Sequence, residues 1–430
     1  MIFILGTIQL IAIIAVCVYE LRNKSIAIFM WSILFVMFGI MHFISILTNS
    51  YTFSEETMNT ASLFVILFTI SYLLGRILIS PKNTISTIEE KNNLDFSEKK
   101  IYEKFMKILL LILIFSIIIR MIDLIKNANG SIFNTSWETM RKTGGKYFSL
   151  SQFFMPIYLF SSSCLMMAIK VKNKKFIIIS SITILFEVLI SRNRIEILPL
   201  AVSIIYYIIL KSKRIKTRDI LKLVIISILG IYAIYGLRVF RHAGTLENFF
   251  KKYDFISYNE TVFEYLKRDD GELGLRNYMY YFIEKNNEFA NFNKGHTYIR
   301  MLFGPIPTQW SFGLKPSDFS ISMGQAVNPK IVGFSVHPTL FGDVYANFGM
   351  YGFGFGVIWA ILLTIIDKQS FKKNKIIFLP FIMIWGNVYI IQARGSVYNG
   401  YIWGIYATIC LYLIWMIFRN VIKTKKHEIN

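Results

Sequence analysis

The sequence predicts an all-α polytopic integral membrane protein with about eleven transmembrane helices and one large extracytoplasmic loop domain between the eighth and ninth. Three observations predict it. First, hydrophobic residues make up 54% of the 430 and charged residues only 17%, with a mean hydropathy of +0.50, which is too apolar for a soluble chain of this length. Second, the apolar residues are gathered into runs long enough to cross a hydrocarbon core of roughly 30 Å. Third, Lys and Arg concentrate in alternate connections between those runs, as the positive-inside rule requires.

Taken in order, the runs centre on residues 2–19, 26–47, 61–80, 105–124, 152–169, 176–191, 195–210, 221–236, 345–366, 376–393 and 400–418. Arg22 and Lys24 follow the first run instead of preceding it, the reverse of a cleavable signal peptide, so a retained helix with its N-terminus outside is expected. The basic connections are ELRNKS, KVKNKK, KSKRIKTRD, DKQSFKKNK and the tail RNVIKTKKHE, with the 81–104 segment on the same side, and they hold most of the net charge of +21. That side is read as cytoplasmic and includes the C-terminus. Residues 237–342 fall on the other side and are nearly neutral. The expected partition is a membrane bundle over 1–236, the extracytoplasmic loop domain over 237–342, and membrane helices with a cytoplasmic tail over 343–430.

The excess charge does not make a nucleic-acid binder, because short basic clusters separated by long apolar runs cannot form one basic face. Cys17, Cys164 and Cys410 all lie in apolar runs without CxxC pairing or Cys/His spacing, so neither a disulfide framework nor a metal site is expected. No Walker A, GxSxG or HExxH segment supports a nucleotide hydrolase, serine hydrolase or zinc protease.

Chemistry is sought on the outer side. Arg192, Arg194, Arg238, Arg241 and Arg394 stand there, where topology does not need positive charge. The planar guanidinium fork suits phosphate oxygens, so their convergence would make a pyrophosphate-binding site. The other reading is that each snorkels to headgroups or pairs with a nearby acid. Glu187 and Glu196 flank the arginine pair in a single hairpin, SRNRIE, as either chemistry or a register-fixing ion pair. Arg76, Arg120 and Asp123 also interrupt apolar runs, and Arg76 and Asp123 lie near enough to helix ends to reach water.

His337, Asp343 and Asn347 arrive together at the outer mouth of a membrane helix in VHPTLFGDVYANFGMYGFGFG. Asp343 or His337 could act as general base toward a sugar hydroxyl. Alternatively, Asp343 caps a helix and Asn347 bonds between helices. Gly349, Gly352, Gly354 and Gly356 are small residues that permit close helix approach. His42 stands alone on an apolar helix, and His296 and His427 carry no catalytic expectation. RMLFGPIPTQWSFGLKP is read as an interfacial or re-entrant turn.

With those residues in view, GHTYIRMLFGPIPTQW, FGLKPSDFS, PTLFGDVYANFGMYGFGFG and SRNRIEIL resemble the Wzy-type O-antigen and capsular repeat-unit polymerases, over about residues 190–360. The resemblance implies a GT-C-like, metal-independent membrane glycosyltransferase of the bacterial inner membrane, without a cofactor. Its substrate would be undecaprenyl-pyrophosphate-linked oligosaccharide, its partners a chain-length regulator and a flippase. Catalytic candidates are His337, Asp343 and Glu196; pyrophosphate-binding candidates are the five arginines; glycan-binding candidates are Tyr278, Tyr281, Trp310 and Asn347, with Tyr280 beside them. An O-antigen ligase using the same carrier is the alternative within this chemistry. A flippase or other transporter is the alternative outside it, disfavoured because such proteins more often show related halves and short loops.

Overall fold

The computed structural model describes residues 1–79, 96–127, 154–191, 194–211, 216–267, 271, 273–286, 288, 292–304, 306, 310–328, 335–370 and 376–427. Only the backbone is described at 96–97, 123–127, 190–191, 194–195, 246, 369–370 and 422–427, so the expectation for the Asp123 side chain lies outside the described residues. Among the described residues, seven helices are long and apolar enough to cross a bilayer: Ile2–Arg22, Ala27–Leu47, Glu55–Ile79, Glu98–Ile122, Thr217–His242, Thr339–Lys368 and Val397–Val421. The protein is an all-α, multi-pass membrane protein. The four other segments expected to span are helical too, as Met155–Lys170, Lys174–Ser191, Leu198–Lys211 and Phe378–Arg394.

The chain divides into two compact units, each assembled from separated stretches. The first comprises Met1–Thr87, Asp269–Lys372 and Val388–Ile405. Its centre is the close approach of Glu55–Ile79 to Phe355–Ser370. Glycine makes that approach possible, because a β-carbon on Gly356 would stand 2.5 Å from the Phe68 carbonyl oxygen and one on Gly75 would stand 2.8 Å from the Ala360 β-carbon. Of the four glycines singled out in sequence, Gly356 thus admits the Glu55–Ile79 helix, and Gly352 admits the Thr339–Phe348 helix, since a β-carbon there would stand 2.8 Å from Val344 Cγ1. Gly349 has another task, since it ends the Thr339–Phe348 helix at a φ of +60°. Gly356→Ala is expected to force the two helices apart and cost about 1–3 kcal/mol, the usual range for overpacking. Thermal unfolding of detergent-purified protein would show it as a lowered midpoint, while Gly354→Ala, whose β-carbon meets nothing within 4 Å, should leave the midpoint unchanged.

Arg76 does not reach water. Its side chain is 2% exposed and is held by Glu20 at 2.7 Å and Asp367 at 2.6 Å, with Tyr72 donating to Glu20 and Ser25 to Asp367. The three charged residues come from three helices, and the sequence alone could not show that acids from distant segments neutralise this arginine where it stands. His42 is not alone either: it follows a π-helical turn, Phe35–Met41, and its ring nitrogens meet the Tyr280 hydroxyl at 2.6 Å and Ser62 Oγ at 2.8 Å. Tyr280 belongs to the Asn277–Glu284 helix, so this bond fastens the inserted stretch to the membrane helices.

The second unit comprises Ile88–Arg268, Lys373–Asn387 and Tyr406–Asn430. Polar side chains join its helices: Asn387 donates to Ser162 Oγ at 2.8 Å, and Ser163 donates to the Pro380 carbonyl at 3.0 Å. Such bonds hold helices where apolar burial does not distinguish neighbour from lipid. Beyond Thr217–His242 the chain turns into Leu246–Lys252 and Phe255–Lys267. Asp254 caps the latter by accepting from the Ser257 hydroxyl at 2.6 Å and the Ser257 backbone N–H at 2.7 Å, and these bonds hold its exposed carboxyl below the ordinary range.

Candidate functional site

In the first unit the expected residues gather around one turn. Phe378–Arg394 ends at the half-buried Arg394, Gly395 and Ser396 reverse the chain, and Val397 begins the next helix. Val397 is a first-turn residue whose N–H has no intrahelical acceptor. Asp343 Oδ2 accepts it at 3.0 Å. Asp343 therefore does cap a helix, but another one from the one that carries it. A carboxylate there also meets the positive end of the helix dipole. Its second oxygen accepts from Asn347 Nδ2 at 2.9 Å.

Asn347 lies one turn further along Thr339–Phe348 and is itself 1% exposed. Its carbonyl oxygen accepts from the Thr297 N–H at 3.1 Å, and its amide donates to Thr297 Oγ1 at 3.2 Å. Asp343 and Asn347, placed on one helical face by their spacing of four, thus bind a helix start on one side and the His296–Leu302 helix on the other. Asp343 is fully buried with both oxygens occupied, a geometry that orients its neighbours.

His337 is the half-buried member of the group. Its Nδ1 lies 3.5 Å from the point where a β-carbon on Gly395 would stand. The preceding residue, Val336, donates its N–H to the Ser320 carbonyl at 3.0 Å, which fixes the approach of this segment. Two residues later, Thr339 adopts a φ of +66° while fully buried. For a β-branched residue that is a strained conformation costing about 1–3 kcal/mol, and such strain persists only where the surroundings enforce it.

Two cations that the sequence reading passed over stand on the same turn. Arg300 lies with its guanidinium 4.5 Å from the centre of the Tyr398 ring, and the Lys315 amine lies 5.6 Å from the same ring. Lys315 is buried and donates to the Gly304 and Ile306 carbonyls at 3.2 and 2.5 Å. Both residues sit in the stretch read as an interfacial turn, where loop position concealed their convergence. Tyr278 and Tyr281 pack half-buried against the apolar cluster of Phe282, Phe292, Phe319 and Met323, with the Tyr281 hydroxyl donating to the Ala326 carbonyl at 3.4 Å. Trp310 is 71% exposed. His296 donates its Nε2–H to the Ser317 carbonyl at 2.7 Å.

The second unit carries an acid and base cluster of its own. Arg120 bridges two carboxylates, Glu187 through one terminal nitrogen and Glu196 through the other, the latter at 2.8 Å. Glu196 is 1% exposed and its Oε2 meets no hydrogen-bond partner among the described residues. The hairpin acids therefore pair with an arginine from a helix some seventy residues earlier, a contact no local spacing reveals. The short turn Arg194–Ile197 packs on Thr217–His242, whose last turns carry Arg238 and Arg241. Arg238 lies over the Tyr265 ring at 4.4 Å. Arg192 and the Arg194 side chain lie outside the described residues. Among the described residues, no group of three or more His, Cys, Asp or Glu stands where it could hold a metal ion.

Comparison with known proteins agrees with the resemblance carried by the sequence motifs. A family model described as O-antigen polysaccharide polymerase Wzy matches residues 1–426. No curated protein and no solved structure matches the chain.

Proposed function

Because the chain belongs to the O-antigen polysaccharide polymerase Wzy family, we propose that it joins polyprenyl-pyrophosphate-linked oligosaccharide repeat units into O-antigen or capsular polysaccharide at the outer face of the cytoplasmic membrane. In this reaction the growing chain leaves its carrier for a hydroxyl on the non-reducing sugar of a new lipid-linked repeat unit. The bond from the anomeric carbon to the pyrophosphate oxygen breaks, a bond from the acceptor oxygen to that carbon forms, and polyprenyl pyrophosphate departs with the negative charge. Two demands follow: a base for the hydroxyl proton and cations for the leaving group.

The observation that carries the reading is the Arg394–Val397 turn, where the half-buried His337 ring lies beside Gly395, the residue after the half-buried Arg394, on a backbone held by the buried Asp343. His337 takes the acceptor proton, and Arg394 faces the pyrophosphate. Asp343 and Asn347 act as positioning residues, since their oxygens are spent on Val397 and Thr297. Tyr278 and Tyr281 offer ring faces to the glycan. Arg192, Arg194, Arg238 and Arg241 remain the other clamp candidates, and Glu196 the alternative base. Arginine supplies the charge that a metal would otherwise bring, so the reaction needs no resident metal.

Purified protein supplied with lipid-linked repeat unit should produce a ladder of extended chains and free polyprenyl pyrophosphate. Arg394→Lys keeps the charge and loses the fork, so it should shorten or abolish the ladder at unchanged protein level. If Lys variants at Arg192, Arg194, Arg238, Arg241 and Arg394 all still make long polymer, no arginine clamp exists. The orientation, N-terminus outside and C-terminus inside, is tested in intact cells. A single cysteine at Asn291 should react with an impermeant reagent and one at Lys213 should not; the opposite pattern would put the site on the wrong side of the membrane.

A further inference from the structure

The stretch from His296 to Ser317 has two sides of opposite character. Its inner side is fastened to membrane helices. The Tyr298 ring lies 4.8 Å from Phe348 and 5.1 Å from Phe355, at the joint within the candidate span Thr339–Lys368. The Tyr398 hydroxyl, in the first turn of the candidate span Val397–Val421, donates to the Gly304 carbonyl at 3.2 Å. A span begins where hydrocarbon gives way to headgroups, so the Tyr398 bond holds the stretch at the level of the bilayer boundary.

The outer side is apolar and uncovered. Leu302 is 86% exposed, Trp310 71%, Phe312 92% and Leu314 69%. Phe312 takes a φ of +51° ahead of Gly313 at +78°, a turn that an aromatic side chain adopts reluctantly and that leaves its ring outward. Ser311, the polar residue between the two rings, is buried. Arg300 and Lys315 stand behind this edge on the Tyr398 ring.

We propose that this edge is an interfacial anchor that seats Leu302, Trp310, Phe312 and Leu314 in the bilayer leaflet at the end where the Val397 helix begins. Three features select lipid as the occupant. A sugar requires hydrogen-bonding side chains beside the ring it stacks on, and among the described residues the outward edge offers only the Trp310 indole N–H. An indole with its N–H toward headgroups and its ring toward acyl chains is the ordinary occupant of that boundary. The Tyr398 hydroxyl bond to the Gly304 carbonyl also keeps the edge at the start of a candidate span, where acyl chains meet headgroups. Trp310 thereby serves the membrane, and the glycan is left to Tyr278 and Tyr281. The anchor depends on the membrane character of the chain alone, so a protein that failed to polymerise would leave it standing.

The test uses the full chain, with Cys17→Ser, Cys164→Ala and Cys410→Ser, in nanodiscs of phosphatidylethanolamine and phosphatidylglycerol. A spin label is attached at Phe312→Cys, and in parallel at Leu314→Cys. Its accessibility to oxygen is compared with that to a water-soluble nickel chelate. Both labels should favour oxygen, like a label at Ile118→Cys on a membrane helix, whereas one at the exposed Glu288→Cys should favour nickel. Labels at 312 and 314 that behave like the one at 288 would overturn the anchor. So would an oxygen preference that arises only after polyprenyl pyrophosphate is added, because the edge would then belong to the carrier.

Discussion

His337→Ala should lower chain extension in purified enzyme about 10²- to 10⁴-fold, or roughly 3–5 kcal/mol of transition-state stabilisation. A sugar hydroxyl is a poor nucleophile, and removing the group that takes its proton leaves that barrier uncorrected. The folded protein should be little affected, since His337 is half-buried and the segment is fixed through the Val336 N–H. The unfolding midpoint and binding of the lipid-linked repeat unit should therefore stay close to wild type. Asp343→Asn should behave differently. Its carboxylate accepts from two donors, Asn347 Nδ2 and the Val397 N–H, and an amide can accept from only one of them. One buried donor loses its partner at a cost of about 1–3 kcal/mol. A lowered midpoint with partial activity would mark Asp343 as the positioning residue. Near-normal extension by His337→Ala would transfer the base to Glu196 or to the substrate.

Arg120→Met should be the most destabilising single change in the second unit, by about 3–5 kcal/mol, because it leaves Glu187 and Glu196 buried together without their shared cation. Arg120→Lys should recover little, since one ammonium cannot reproduce a fork that spans two carboxylates. The added changes Glu187→Gln and Glu196→Gln in the Arg120→Met background should restore much of the loss by removing the unpaired charges. Thermal unfolding in one detergent measures all four proteins. Equal midpoints in wild type and Arg120→Met would mean that the cluster does not form. Glu196→Gln by itself separates structure from chemistry: its Oε1 still accepts from Arg120, so a rate that collapses at an unchanged midpoint would make Glu196 the base.

Much of the protein was legible in the sequence. Composition and run length determine that it lives in a membrane, and among the described residues seven helices are long and apolar enough to cross it, because a backbone in lipid must satisfy its hydrogen bonds within the helix. The VHPTLFGDVYANFG passage was also legible as one whose polar residues need partners in other segments, since polar residues on a membrane helix are costly enough to be noticed.

The roles of those residues were decided only by tertiary structure. Asp343 and Asn347 look like an exposed pair at a helix mouth, yet one caps the helix at Val397 and the other grips Thr297, partners roughly fifty residues away. Arg76 seems free to reach water until Glu20 and Asp367 arrive from other helices. Glu187 and Glu196 seem matched to the arginines of their own hairpin, but Arg120 bridges them. The physical reason is common to all three cases. Periodicity reports which face of a helix is apolar, a property of the local chain, whereas the partner of a buried charge is chosen by which helices lie side by side, and a sequence without its fold leaves that choice open.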